Sequence, residues 1–278
     1  MVADSAALRF ILNSPHLKYT TAFENLLQLF YDPKFEEHKV LRVALNAGFT
    51  PAVVRSHQGV FEKMALKLTE QLENSSQGTI NICPLLNAAT LSTVAEALLG
   101  QSLEELGEEL VQSNFQIVAL GASQSRAHVL FDAVASHLPA CIFRAAGHLP
   151  TQSLKILRDA KMLMHELGNR IVREKTVAAS NGLDTGSDVL GLLCSGKHGL
   201  PGDIAAAQVA AFLLAGQDSP ANTLALGLRA LARLPEFQAA FRAEISARAE
   251  SVAYNSMPLL NSFIKEMLRM YPALPTCV

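Results

Sequence analysis

The sequence predicts a mainly α-helical fold in a single domain covering residues 1–278. Three observations carry that expectation. Apolar residues recur at three- and four-residue spacing through most of the chain. Helix-start signals built on a proline precede these runs at Thr50-Pro51, Pro201 to Asp203, Pro235 and Pro258. Only Thr79 to Ile82 alternates as a strand would, and four residues are too few to define one.

The elements follow in order. Thr50 is a natural N-cap and Pro51 a first helical residue. Val53, Val54, Phe61, Met64, Ala65, Leu68 and Leu72 then mark one long amphipathic helix to about Glu73. Ser75 to Gly78 is a loop. A second run starts at Pro84 and stops at Gly100, which suits the residue just past a helix end. Further helices are expected from Leu103 to Leu120, Arg126 to His137, Gln152 to Thr176 and Ser187 to Cys194, with a small, polar linker from Ala178 to Gly186. The most apolar stretch, Ile204 to Gly216, reaches roughly 20 Å as a helix, short of the ~30 Å of a bilayer core. It is expected to be a central helix buried on every side. Pro235 and Pro258 open the last two helices.

Composition excludes several classes. The 278 residues include 23 Lys and Arg against 25 Asp and Glu, for a net charge of -2. Half the residues are hydrophobic and 17% charged, which is too apolar for a disordered chain. Near-neutral charge without a basic run gives no footprint for nucleic acid. Cys83, Cys141, Cys194 and Cys277 are widely separated and form no C-x-x-C, which argues against a zinc knuckle, a dithiol redox site or a disulfide framework. His165-Glu166 lacks the second histidine of a zincin helix, and no clustered aspartates suit a magnesium-diphosphate site. The first residues lack the basic-then-apolar pattern of a signal peptide, so no anchor is expected and the chain reads as soluble and cytoplasmic.

Two constellations bear chemistry. In Ala215-Gly216-Gln217-Asp218-Ser219-Pro220 an acid and an alcohol stand midway along an apolar helix, where a buried carboxyl costs several kcal/mol unless it is paired or used. Pro220 has no N–H for the carbonyl of Gly216, so the helix should open there whatever the function. In Lys265-Glu266-Met267-Leu268-Arg269-Met270-Tyr271-Pro272, Glu266 and Arg269 sit one turn apart and can pair, as solvated surface pairs commonly do.

In this order and separation the two segments resemble the cytochrome P-450 superfamily of haem-thiolate monooxygenases. A-G-Q-D-S is similar to that family's oxygen-binding-helix motif, and K-E-M-L-R-M-Y-P-A-L-P to its E-x-x-R helix and exit. Ala230 to Ile245, ALARLPEFQAAFRAEI, is similar to the connection between them, and His38 to Pro51, HKVLRVALNAGFTP, to the helix that contacts the haem propionates. The resemblance implies a P-450-like helical domain lacking the N-terminal β-sheet region and the C-terminal loop with the ligating Cys. The chain resembles an internal fragment. Cys277 follows Pro275 too soon to match that ligand, Ser219 stands where threonine is commoner, and Pro220 replaces a small hydroxyl residue.

By the same resemblance, Asp218 and Ser219 would manage proton delivery during oxygen activation, Gly216 would leave room for dioxygen, and Ala215 would lie against the haem. Arg42, with His38 one turn before it, would hold the propionates. Glu266 and Arg269 would tie the last helix to a following loop. The implied activity is oxygen insertion into an apolar small molecule, with dioxygen, an NADPH-dependent reductase and no nucleic acid as partners. Leu103 to Thr176 and Phe212 would line the pocket. A full-length relative would sit at the endoplasmic reticulum membrane. The alternative is a non-catalytic, all-α remnant acting as a binding or interaction module.

Overall fold

The computed structural model describes residues 5–14, 35–75, 78–122, 134, 149–182, 188–195, 200–247 and 254–273. Among these residues there is no strand, and Thr79 to Ile82 carries no regular structure. The expected helix from Arg126 to His137 lies outside the described residues but for its residue 134.

The first helices among the described residues are α1 (Ser5–Asn13) and α2 (Phe35–Gly48). The start predicted at Thr50 is present, since its hydroxyl accepts a hydrogen bond from the N–H of Val53 at 3.4 Å with Pro51 at the first turn. The single long helix expected from there is two helices, α3 (Pro51–Ser56) and α4 (Gln58–Asn74), divided at His57. Periodicity alone does not register such a break, because the apolar spacing continues through it.

Helix α5 (Cys83–Val94) widens into a π-helical turn, Ala95–Leu99, and ends at Gly100 with φ +68°, the left-handed conformation expected of its glycine. The run from Leu103 is also two pieces, α6 (Leu103–Leu106) and α7 (Glu108–Ala122), because Gly107 adopts φ +86°. A reciprocal Ser102–Glu105 capping box starts α6. The backbone N–H of Ser102, and then its hydroxyl, hold the Glu105 carboxyl below the usual range.

Next come α8 (Gln152–Ser180), capped by Thr151, and α9 (Val189–Ser195). The central α10 (Gly202–Arg233) runs for 32 residues and remains helical through Pro220. Two helices close the described chain, α11 (Pro235–Ser246) and α12 (Pro258–Met270).

Helix α10 packs between α5 and α8, and α7, α11 and α12 also touch it. Leu91, Ala95 and Leu99 meet Met164 and Ile171 of α8, Leu190 of α9, and Val209 and Leu213 of α10 in one core. Burying a Leu or Ile side chain contributes roughly 1.5–3 kcal/mol, so these contacts dominate the stability of the bundle. Close helix approach needs glycine at Gly168, where a Cβ would strike the carbonyl of Ala206. The stretch Ile204 to Gly216, expected to be buried on every side, is buried or half-buried except at exposed Ala215, and α10 becomes more exposed only beyond it. Ala205 to Leu213 are mostly buried, whereas Leu224 and Leu228 lie exposed in its second half. No helix among the described residues is long and apolar enough to cross a membrane.

Candidate functional site

The acid and alcohol of α10 occupy one turn and are held by their own helix. The Ser219 hydroxyl donates to the carbonyl of Ala215 at 2.8 Å, and the Asn222 amide donates to Asp218 Oδ2 at 3.0 Å. Thr223 in turn donates to the carbonyl of Ser219 at 2.9 Å. Asp218 and Ser219 are half-buried, and Ala215 is exposed beside them. A serine that bonds back one turn favours a bend, and Pro220 adds to it by leaving the Gly216 carbonyl without a helical donor. The hydroxyl thus reaches the turn before Gly216 rather than the Gly216 carbonyl itself.

Gly216 packs against α5. A Cβ at this position would lie 2.5 Å from Val94 Cγ2, so the missing side chain admits the neighbouring helix. The buried polar residue of the segment is Gln217, which is fully inaccessible. Its side-chain oxygen accepts from the Asn114 amide of α7, and its backbone carbonyl accepts from the Thr90 hydroxyl of α5 at 2.8 Å. Of the motif segment, Ala215, Gly216, Asp218 and Ser219 had expected roles and Gln217 had none. A glutamine between glycine and aspartate in an otherwise apolar run was the available signal.

Arg42 lies exposed on α2 and has no ion-pair partner among the described residues, while the side chain of His38 lies outside them. Helix α2 packs on α9, with Gly48 against Val189. Phe49, just after α2, meets Phe212 of α10 edge-on with centroids 6.3 Å apart. Phe212 is itself buried in the core.

Glu266 and Arg269 form a two-pronged pair with bonds of 2.7 and 2.8 Å, and both side chains are more than half exposed. The guanidinium holds the Glu266 carboxyl below its ordinary range, and the carboxylate raises Arg269. Helix α12 also presents Phe263, which packs with Phe237 and Phe241 of α11 at centroid distances of 5.8 Å. Its first free N–H groups are capped from a distance. Glu244 accepts from Leu259 N–H at 2.8 Å and from Leu260 N–H at 3.0 Å.

For a haem, the residues present offer the exposed guanidinium of Arg42, suited to a carboxylate, and a helix turn carrying an acid and an alcohol. No cluster of three or more His, Cys, Asp or Glu able to hold a metal occurs among the described residues. Burial pushes the Cys194 thiol up, away from the thiolate that ligates iron, and Cys83 lies exposed at the start of α5. Cys141 and Cys277 lie outside the described residues.

Comparison with known proteins gives a family from the sequence and a shared fold from the structure. The family model for cytochrome P450 matches residues 1–278. Ganoderic acid synthetase CYP5150L8 of Ganoderma lucidum is 25% identical over 86% of this chain and 49% of its own length. Cytochrome P450 monooxygenase 81 of Postia placenta is 28% identical over 98% of this chain and 56% of its own length. The chain thus spans about half the length of the curated relatives it matches. Among solved structures, retinoic acid bound cyanobacterial CYP120A1 superposes with a TM-score of 0.70 at 18% identity, covering 98% of this chain and 59% of that one. A cytochrome P450 named CYP102L1 gives 0.68 at 16% identity, covering 94% and 61%.

Proposed function

The chain belongs to the cytochrome P450 family, and from that premise we propose that it serves a haem-dependent monooxygenase that inserts oxygen into an apolar organic substrate. The observation that carries the proposal is the single turn of α10 in which half-buried Asp218 and Ser219 adjoin exposed Ala215. Haem supplies oxygen activation when bound.

The chain's own residues bind and move protons. Arg42, with His38 one turn before it, would hold the propionates through its guanidinium fork. Asp218 is anchored at Oδ2 by the Asn222 amide, and its carboxyl would pass protons inward from solvent. The Ser219 hydroxyl donates a hydrogen bond to the Ala215 carbonyl at rest; turned away from that carbonyl, it would take one proton from the Asp218 carboxyl as it passes its own on. A positioned acid of this kind contributes about 10²–10⁴ in rate. Gly216 and Val94 set how closely α5 backs the turn. Electrons would come from an NADPH-dependent reductase.

Oxygen labelling tests the proposal in the haem-loaded enzyme containing this chain. With labelled dioxygen and a reductase, the product gains labelled oxygen. Label arriving from water, or no oxygenated product across apolar substrates, overturns it.

A further inference from the structure

Gln217 is the residue of the motif segment that faces away from solvent altogether. At about 100° per residue it lies about 160° around α10 from both Ala215 and Ser219. Its side chain and Asn114 are each fully buried, and the Asn114 amide donates to Gln217 Oε1. Its carbonyl accepts from Thr90 Oγ1 at 2.8 Å, a bond that crosses from α5. Two helices therefore grip one residue from behind, through its side chain and through its backbone.

This grip falls where α10 is least able to fix itself. Pro220 removes a helical bond to Gly216, and Ser219 bonds back to Ala215, both of which loosen the turn. A rotation of about 20° there would move an atom 5 Å from the axis by about 1.7 Å. Displacement of about 1 Å at a reacting centre is enough to cost about 10²-fold.

We propose that Gln217 is a positioning residue, held by Asn114 and Thr90 so that α10 cannot rotate and Asp218 and Ser219 stay aimed at the reacting oxygen. This rests on the monooxygenase function proposed above. The grip also links α7 to the turn, so a shift of α7 is transmitted to the acid and alcohol through the amide pair. One acceptor, Asn114 Oδ1, and one donor, Gln217 Nε2, have no partner among the described residues. Removing either amide alone strands more of this buried polarity, whereas replacing both by leucine removes it.

The test uses Gln217→Leu, Asn114→Leu and the double variant in the haem-loaded enzyme, with melting temperature and the ratio of peroxide released to product formed as readouts. Each single variant is expected to melt about 5 °C lower, and the double variant to regain at least half of that loss. Coupling is expected to behave differently, with the peroxide-to-product ratio raised about threefold or more in all three variants. A double variant that is as coupled as the parent reduces the pair to packing and overturns the proposal. Melting losses that simply add in the double variant overturn the pairing itself. Failure of the underlying function shows instead in the parent, which would then make no oxygenated product, while the melting cycle still reports on the pair.

Discussion

Val94 Cγ2 lies 2.5 Å from the point where a methyl group on Gly216 would stand. The two helices that form the back wall of the candidate site thus meet at a position that tolerates no side chain, and the glycine of the motif serves helix packing first. Gly216→Ala is expected to destabilise the protein by about 2 kcal/mol through overpacking. Shortening the neighbour with Val94→Ala should recover part of the loss in the double variant. Denaturant midpoints of the three variants check this, and a silent Gly216→Ala would contradict it.

The buried ion pair at the far end of α8 gives a larger effect. Lys175 and Asp188 approach to 2.6 Å with side chains 11% and 7% exposed, and Asp188 also caps α9 by accepting from Gly191 N–H at 2.8 Å. Lys175→Met should cost about 3 kcal/mol, because it leaves an uncompensated carboxylate inside the protein. Asp188→Asn, which keeps a side-chain acceptor for Gly191, should cost less than Asp188→Ala. Urea unfolding of the three variants decides the order.

Helix α12 depends on a residue of the preceding helix. Glu244→Ala removes the acceptor for Leu259 and Leu260 N–H and should cost about 1–2 kcal/mol, with Glu244→Gln intermediate. Thermal melts, with amide exchange at Leu259 and Leu260, report whether the loss is local to that helix start.

The Glu266–Arg269 pair predicts a pH dependence with a definite sign. Because Glu266 titrates below its ordinary value when folded, any stability from the pair is fully present above the unfolded carboxylate pKa of about 4.3. It is lost as pH falls through the lowered folded value. The difference in melting temperature between the parent and Glu266→Gln should therefore be flat from pH 8 to about 5 and shrink below that. A difference that grows on acidification would contradict the pairing.

Much of the helical order was legible because its signals are local. Thr50-Pro51 and Gly100 mark boundaries through backbone chemistry that needs no tertiary context, and the structure has a cap and a left-handed residue at those places. The breaks at His57 and Gly107 were missed because apolar periodicity runs across them, and the direction of the chain there is set by what α4 and α7 pack against. The candidate site was half legible. Asp218 and Ser219 stand out as polar residues in an apolar run, but the partners of Gln217 come from residues 90 and 114, and only folding brings them to it. The role of Glu244 was hidden likewise, since its acceptors' partners lie 15 and 16 residues further on in another helix.

The Ser219 hydroxyl, held at 2.8 Å from the Ala215 carbonyl, is proposed to relay protons for oxygen activation. The most direct measurement is the ratio of peroxide released to product formed by the haem-loaded enzyme, for the parent, Ser219→Ala and Pro220→Ala under the same reductase supply. Ser219→Ala is expected to divert most of the consumed oxygen to peroxide, whereas Pro220→Ala, which restores an N–H for the Gly216 carbonyl, should change coupling less. A Ser219→Ala enzyme as coupled as the parent would overturn this and leave the hydroxyl with only its bond to the Ala215 carbonyl.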